Sequence, residues 1–208
     1  MILIGQYDSS YTRRVAIALR LYGIPFEHRP WSVGADQDRI RPFNPLTRVP
    51  TLILDSGETL VDSSSIVDFI DSLVEPERRL YPVSQPARRR AMRVAALASG
   101  MADKAVALFY ELRMHAVPSP DWVKRCRGQI LGALAVLESE RAATRSPWWF
   151  GADFGHADIA VACHVRHAFE AHPDMAEFAR YPALQAHCEA MESMDAFRQL
   201  SQPLVSPV

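Results

Sequence analysis

At 208 residues the chain suits one large domain or two small ones, and 49% hydrophobic against 23% charged residues supplies a sizeable core and excludes a disordered chain. The 23 Lys and Arg against 24 Asp and Glu leave a net charge of −1, which offers no electrostatic reason to expect nucleic acid or an anionic membrane as partner. Cys126, Cys163 and Cys188 are odd in number and far apart, as expected of reduced thiols in a cytoplasmic protein, and the start "MILIG" reads as neither a signal peptide nor a membrane span.

In chain order, "ILIG" (2–5) is a short β-type run, and 13–23 places Val15, Ala18, Leu19 and Tyr22 at helical spacing with Gly23 as C-cap. Residues 25–31 read as a second strand. Residues 49–54 and 58–62, around the turn "DSG", read as a hairpin, and 64–74 as an amphipathic helix. Strand, helix, strand, loop or short helix, strand, strand, helix implies a small α/β domain with a mixed sheet. Past Glu75 the proline-rich "EPERRLYPVSQPARRR" reads as a linker. Helical spacing then runs through 87–115, 121–141, 156–172 and 183–195, an all-helical bundle with the nearly all-apolar 157–165 at its centre. The expected boundaries are 1–78 for the α/β domain, 79–88 for the linker and 89–208 for the bundle.

Several patterns have ordinary explanations. His164 and His167 lie three apart on one helix, but without Cys or Asp at ligand spacing they read as packed or solvated, so no metal is expected. "RRRAMR" (88–93) reads as a solvated helix face, and the aromatics of "PWWFGADF" (147–154) as core. "SSYT" (9–12) is less ordinary. One hydroxyl suffices to cap a helix, and four at its positive end also suit an anionic ligand.

Four segments in order, "SSYTRRVAIAL", "NPLTRVPTL", "DSSSIVDFI" and "GADFGHADIAV", resemble the cytosolic glutathione S-transferase superfamily over essentially the whole chain. The resemblance is to its Ser-type members, zeta-like or bacterial. It implies an α/β plus all-α fold: a thioredoxin-like domain (βαβ-ββα) followed by a C-terminal helical bundle. It implies glutathione as cosubstrate, no metal, a small-molecule electrophile and a homodimer. Ser9 matches the hydroxyl that donates to the glutathione sulfur, with Ser10 as its substitute if the loop is rotated by one residue. A donor to the charged form lowers a thiol's pKa, and a helix N-terminus adds to the effect. Val49, before Pro50, would offer its backbone to the cysteinyl part of glutathione, and that peptide bond is a candidate for cis. Asp62 would face the γ-glutamyl ammonium, Ser63 would hold the γ-glutamyl carboxylate, and Arg48 would pair with the glycyl carboxylate. Met101, Tyr110 and Met114 would line the electrophile pocket.

Two departures stand out. No cysteine occurs before residue 80, which disfavours mixed-disulfide chemistry, and Tyr11 stands where zeta members such as maleylacetoacetate isomerases usually carry Cys. Gly155 occupies a capping position where Ser or Thr is usual, with Asp158 retained. The implied activity is glutathione transfer. The alternatives are a glutathione-dependent isomerase and a non-catalytic scaffold that binds a partner protein.

Overall fold

The computed structural model describes residues 1–175 and 178–204. These form two compact units, Met1–Leu80 together with the residues from Met194 onward, and Tyr81–Ser193.

The first unit is built on a four-stranded sheet in the order β2-β1-β3-β4. Strand β1 (Ile2–Ile4) leads into helix α1 (Ser10–Tyr22) and on to β2 (Glu27–Arg29), which lies parallel to β1. Gly23 ends α1 at φ 69°, and Ile24 N–H donates to Leu19 C=O, a Schellman stop that glycine adopts without steric cost. After the short α2 (Gln37–Ile40), strands β3 (Thr51–Ile53) and β4 (Thr59–Val61) form the expected hairpin, both pairings antiparallel. Helix α3 (Ser63–Ser72) follows and packs against α1. Ile4, Ile40 and Ile53 form the core under one face of the sheet, with Val49 and Phe43 packed against them.

The second unit holds α4 (Ala87–Met114), α5 (Pro120–Ala143), α6 (His156–Ala171) and α7 (Pro182–Glu192). Ala91, Ala95, Ala98, Ala102 and Ala105 recur at alternating spacings of four and three along α4, all buried. Such a stripe lets a neighbouring helix approach closely, and α4 packs most extensively on α6, whose residues are buried nearly all round, as its apolar sequence implies. The α6 N-terminus is held by Asp158, whose two carboxylate oxygens accept the N–H groups of Trp149 and Gly155 at 2.9 Å each. Gly155 has no side chain to return the bond, so only half of a capping box exists here.

The boundaries differ from those expected at both ends of the bundle. Residues 79–80 are not a free connector. Leu80 N–H donates to the Tyr22 hydroxyl at 2.7 Å, which in turn donates to the buried Asp71. Tyr81 then belongs to the helical unit, packed on the His156 ring at 4.7 Å. The expected 183–195 helix ends at Glu192, and a further helix, α8 (Asp195–Gln199), returns to pack on α1. Hydrophobic spacing cannot reveal that return, because Phe197 is equally apolar in either core. No helix among the described residues is long and apolar enough to cross a membrane.

Candidate functional site

The sheet register brings separate segments to one end. Ile4, the last residue of β1, pairs with Thr51, the first of β3, and Thr51 pairs with Val61, the last of β4. The chain therefore leaves β1 towards Ser9, enters β3 from Val49-Pro50, and leaves β4 into Asp62-Ser63, all at the same edge. This convergence follows from hydrogen-bond pairing and needs no side-chain argument.

Gly5 fixes the spacing there. It has φ 131°, and a Cβ on it would lie 2.4 Å from Thr12 Oγ1 and 2.8 Å from Val49 Cβ. The end of β1, the first turn of α1 and the loop before β3 are therefore in direct contact, with no room for a side chain at residue 5.

Of the four hydroxyls, Ser9 is the N-cap: its Oγ accepts the Thr12 N–H at 3.3 Å. Accepting that bond leaves its O–H free to donate. Ser10 is buried in the first turn, and Thr12 is fully buried beneath Gly5 with its Oγ1 unpartnered. The first turn of α1 contains no acidic residue, so the positive end of that helix faces no acid from its own sequence there.

The Val49-Pro50 peptide bond is cis, and the Val49 side chain packs into the core. Asn44, not singled out from the sequence although Asn-Pro marks a turn, shapes this loop. Its carboxamide oxygen accepts the Leu46 N–H, while its nitrogen donates to Arg48 C=O and Thr51 Oγ1. Arg48 itself is exposed.

Asp62 caps α3, accepting the Ser64 N–H at 2.7 Å, and adopts φ 70° with ψ 125°. A non-glycine residue in that region costs about 1–3 kcal/mol, and such strain gathers at ligand sites. Ser63 beside it is buried, and Ser64 Oγ accepts from the buried Arg14 at 3.1 Å.

The three residues assigned to an electrophile pocket are not brought together on one wall. Met101 and Tyr110 are nine positions apart on α4, which is two and a half turns and so opposite sides of the helix. Met101 is buried, whereas Met114, the last residue of α4, is 68% exposed. Tyr110 contacts the Phe109 ring edge-on at 5.9 Å. Among the histidines, His164 bonds Ser99 Oγ at 3.1 Å, and no group of three potential metal ligands occurs among the described residues.

Comparison with known proteins shows the family and the fold. Residues 3–78 match the glutathione S-transferase N-terminal domain family and residues 120–190 the C-terminal domain family. The uncharacterized GST-like protein YibF of Escherichia coli K12 is 34% identical over 140 residues, covering 66% of this chain and 68% of YibF. Maleylacetoacetate isomerase of Rattus norvegicus is 26% identical over 213 residues, covering 99% of this chain and 94% of the relative. The crystal structure of a glutathione S-transferase from Methylobacterium radiotolerans in complex with glutathione sulfonate superposes with a TM-score of 0.89 at 28% identity, covering 100% of this chain and 98% of that one.

Proposed function

Because this chain belongs to the glutathione S-transferase superfamily, we propose that it binds reduced glutathione at the sheet end described above and conjugates its thiolate to a small apolar electrophile. The observation that carries the reading is the Ile4, Thr51, Val61 row, which gathers Ser9, Val49-Pro50 and Asp62-Ser63 from three distant parts of the sequence. The glutathione sulfonate in the Methylobacterium radiotolerans relative supports the same ligand class here.

The residues divide the work by charge. Ser9 donates its O–H to the sulfur while its oxygen keeps the Thr12 N–H, and the α1 N-terminus adds positive potential, so the thiol ionises below its free value near pH 8.5. Ser10, buried in the first turn, is the lesser candidate for that bond. Val49 offers backbone groups to the cysteinyl portion in the manner of an added strand. Asp62 meets the γ-glutamyl ammonium, Ser63 at the α3 N-terminus holds the γ-glutamyl carboxylate, and Arg48 pairs with the glycyl carboxylate. The thiolate then attacks the electrophile: its electron pair forms the new carbon–sulfur bond, while an equal pair either departs with a displaced leaving group or moves from the attacked double bond onto the neighbouring atom, which takes a proton from water. The protein works as a homodimer in a reducing cytoplasm, where its three buried free cysteines stay reduced.

Titration with reduced glutathione in buffers of different ionisation enthalpy tests this reading, with proton release accompanying binding at neutral pH as the expected result. Ser63→Ala should weaken binding by about 1–3 kcal/mol. Binding without proton release would remove the thiolate chemistry, and no binding would sink the assignment altogether. The similarity to a maleylacetoacetate isomerase supports a second reading, in which the thiol adds and later leaves. Turnover of a cis-dienoic acid with glutathione unconsumed would favour it.

A further inference from the structure

The loop carrying Ser9 is held from two directions. Residues 5–29 supply the first. Gly5 N–H donates to Arg29 C=O at 2.9 Å and Ser9 N–H to Gln6 C=O at 3.3 Å. His28 Nε2 donates to Gly5 C=O at 2.8 Å, and its ring lies flat on Tyr7 with centroids 4.0 Å apart. The second hold comes from the far end of the chain, where the Tyr7 N–H donates to Gln202 Oε1 at 3.0 Å across 195 positions of sequence.

Gln202 reaches Tyr7 because the residues before it are fastened to α1. Arg13, only 3% exposed, donates from Nε to Leu200 C=O and from Nη2 to Phe197 C=O, both at 3.0 Å. These are carbonyls at the C-terminal end of α8, where the helix provides no partner and a cation is favoured. The Arg13 guanidinium also lies 5.4 Å from the centre of the fully buried Phe197 ring. Two turns further along α1, Arg20 donates to Gln199.

We infer that Gln202 is a positioning residue for the Ser9 hydroxyl, with the C-terminal segment acting as a strap across the start of α1. The inference rests on the reading of Ser9 as the donor to the glutathione thiolate. A donor stabilises developing charge only when its geometry is set beforehand, and hydrogen bonds weaken steeply with misalignment. Tyr7 sits two residues before Ser9, in a short loop that starts at a glycine. An acceptor on its N–H therefore fixes the loop where the Ser9 oxygen emerges. Gln202 acts through Tyr7 and does not touch the ligand, so its loss should appear in the ionisation of bound glutathione and not in its affinity.

The test compares the parent protein with Gln202→Met, which keeps the reach and removes the acceptor, and with Ser119→Ala, which removes a helix cap in the other unit. For each, the ultraviolet thiolate absorbance of bound glutathione is followed against pH, alongside affinity and thermal midpoint. Gln202→Met should raise the thiolate midpoint by about 0.5 pH unit, leaving about threefold less thiolate below it. Its affinity should stay within about twofold of the parent. Ser119→Ala should lower the thermal midpoint with no change in ionisation. A Gln202→Met midpoint equal to the parent's overturns the positioning role, whatever happens to stability. A parent protein whose bound thiol titrates as free glutathione removes the Ser9 reading, and this inference falls with it.

Discussion

Each unit of the chain has a helix capped by serine, and the two caps are nearly superimposable. Ser9 has φ −70° and ψ 113° and accepts the Thr12 N–H at 3.3 Å, while Ser119 has φ −70° and ψ 117° and accepts the Trp122 N–H at 3.4 Å. Their surroundings differ. The Ser119 N–H donates to Glu111 at 2.7 Å, a bond that holds the Glu111 carboxyl below its ordinary range, and Asp121 lies in the first turn of α5. In the same unit Asp158 holds the start of α6, and Glu138 accepts the Ala183 and Leu184 N–H groups at the start of α7. The helical unit thus answers these helix starts with its own carboxylates. The first turn of α1 itself contains no acid, and the carboxylate next to its cap in sequence is Asp8, one residue before Ser9. Local cap geometry therefore does not by itself distinguish a serine that only caps a helix from one that also meets a ligand.

The largest expected effect in this comparison lies in the helical unit. Asp158→Ala leaves two N–H groups without acceptors, so denaturant unfolding should show a loss of about 3–5 kcal/mol. A loss below about 1 kcal/mol would mean water replaces the carboxylate and the helix start is less closed than described. Next is Gly5→Ala, where the new methyl meets Thr12 and Val49 and the backbone is held at φ 131°. About 2–4 kcal/mol should be lost, with glutathione affinity falling in parallel. Retained affinity would separate the loop junction from the site.

Acid should act on the helical unit through its buried histidines. Burial pushes His172 and His187 below the ordinary value of 6.5, although Asp158 opposes the shift at His187 and the Ala105 carbonyl opposes it at His172. With the folded pKa depressed, both states are neutral above about pH 6.5, and stability there is insensitive to these groups. Below that value the unfolded chain takes up protons first, so stability falls as pH falls, by up to about 1.4 kcal/mol per unit for each histidine. His172→Gln and His187→Gln should flatten the acid slope in equilibrium unfolding. An unchanged slope would place its origin in other groups.

The smallest effect is the most pointed. Ser9→Ala and Ser119→Ala should each cost about 1 kcal/mol as cap losses. Only Ser9→Ala should raise the thiol pKa of bound glutathione. Equal behaviour in both assays would reduce Ser9 to a cap.

Much of this was legible in the sequence. Strand and helix order, the hairpin around Gly57 and the buried α6 followed from apolar spacing, and the family's fold from four ordered segments. Ser9, Pro50 and Ser63 could be singled out because caps and prolines obey local rules. Gly5 and Asn44 left weaker signals, a glycine after a strand and an Asn-Pro turn. Met101, Tyr110 and Met114 were grouped by residue type, yet helical phase sets Met101 and Tyr110 on opposite sides of α4.

The sequence by itself determined which segments are strands and helices and where three residues of the candidate site sit, because capping, turn chemistry and hydrophobic period act over a few residues. Only the tertiary structure decided that Asp158 also takes the Trp149 N–H, that α8 joins the first unit, and that Gln202 meets Tyr7. Those outcomes depend on which buried N–H groups and carbonyls find a partner across the fold. A glutamine near the end of a chain carries no mark of the N–H it will satisfy.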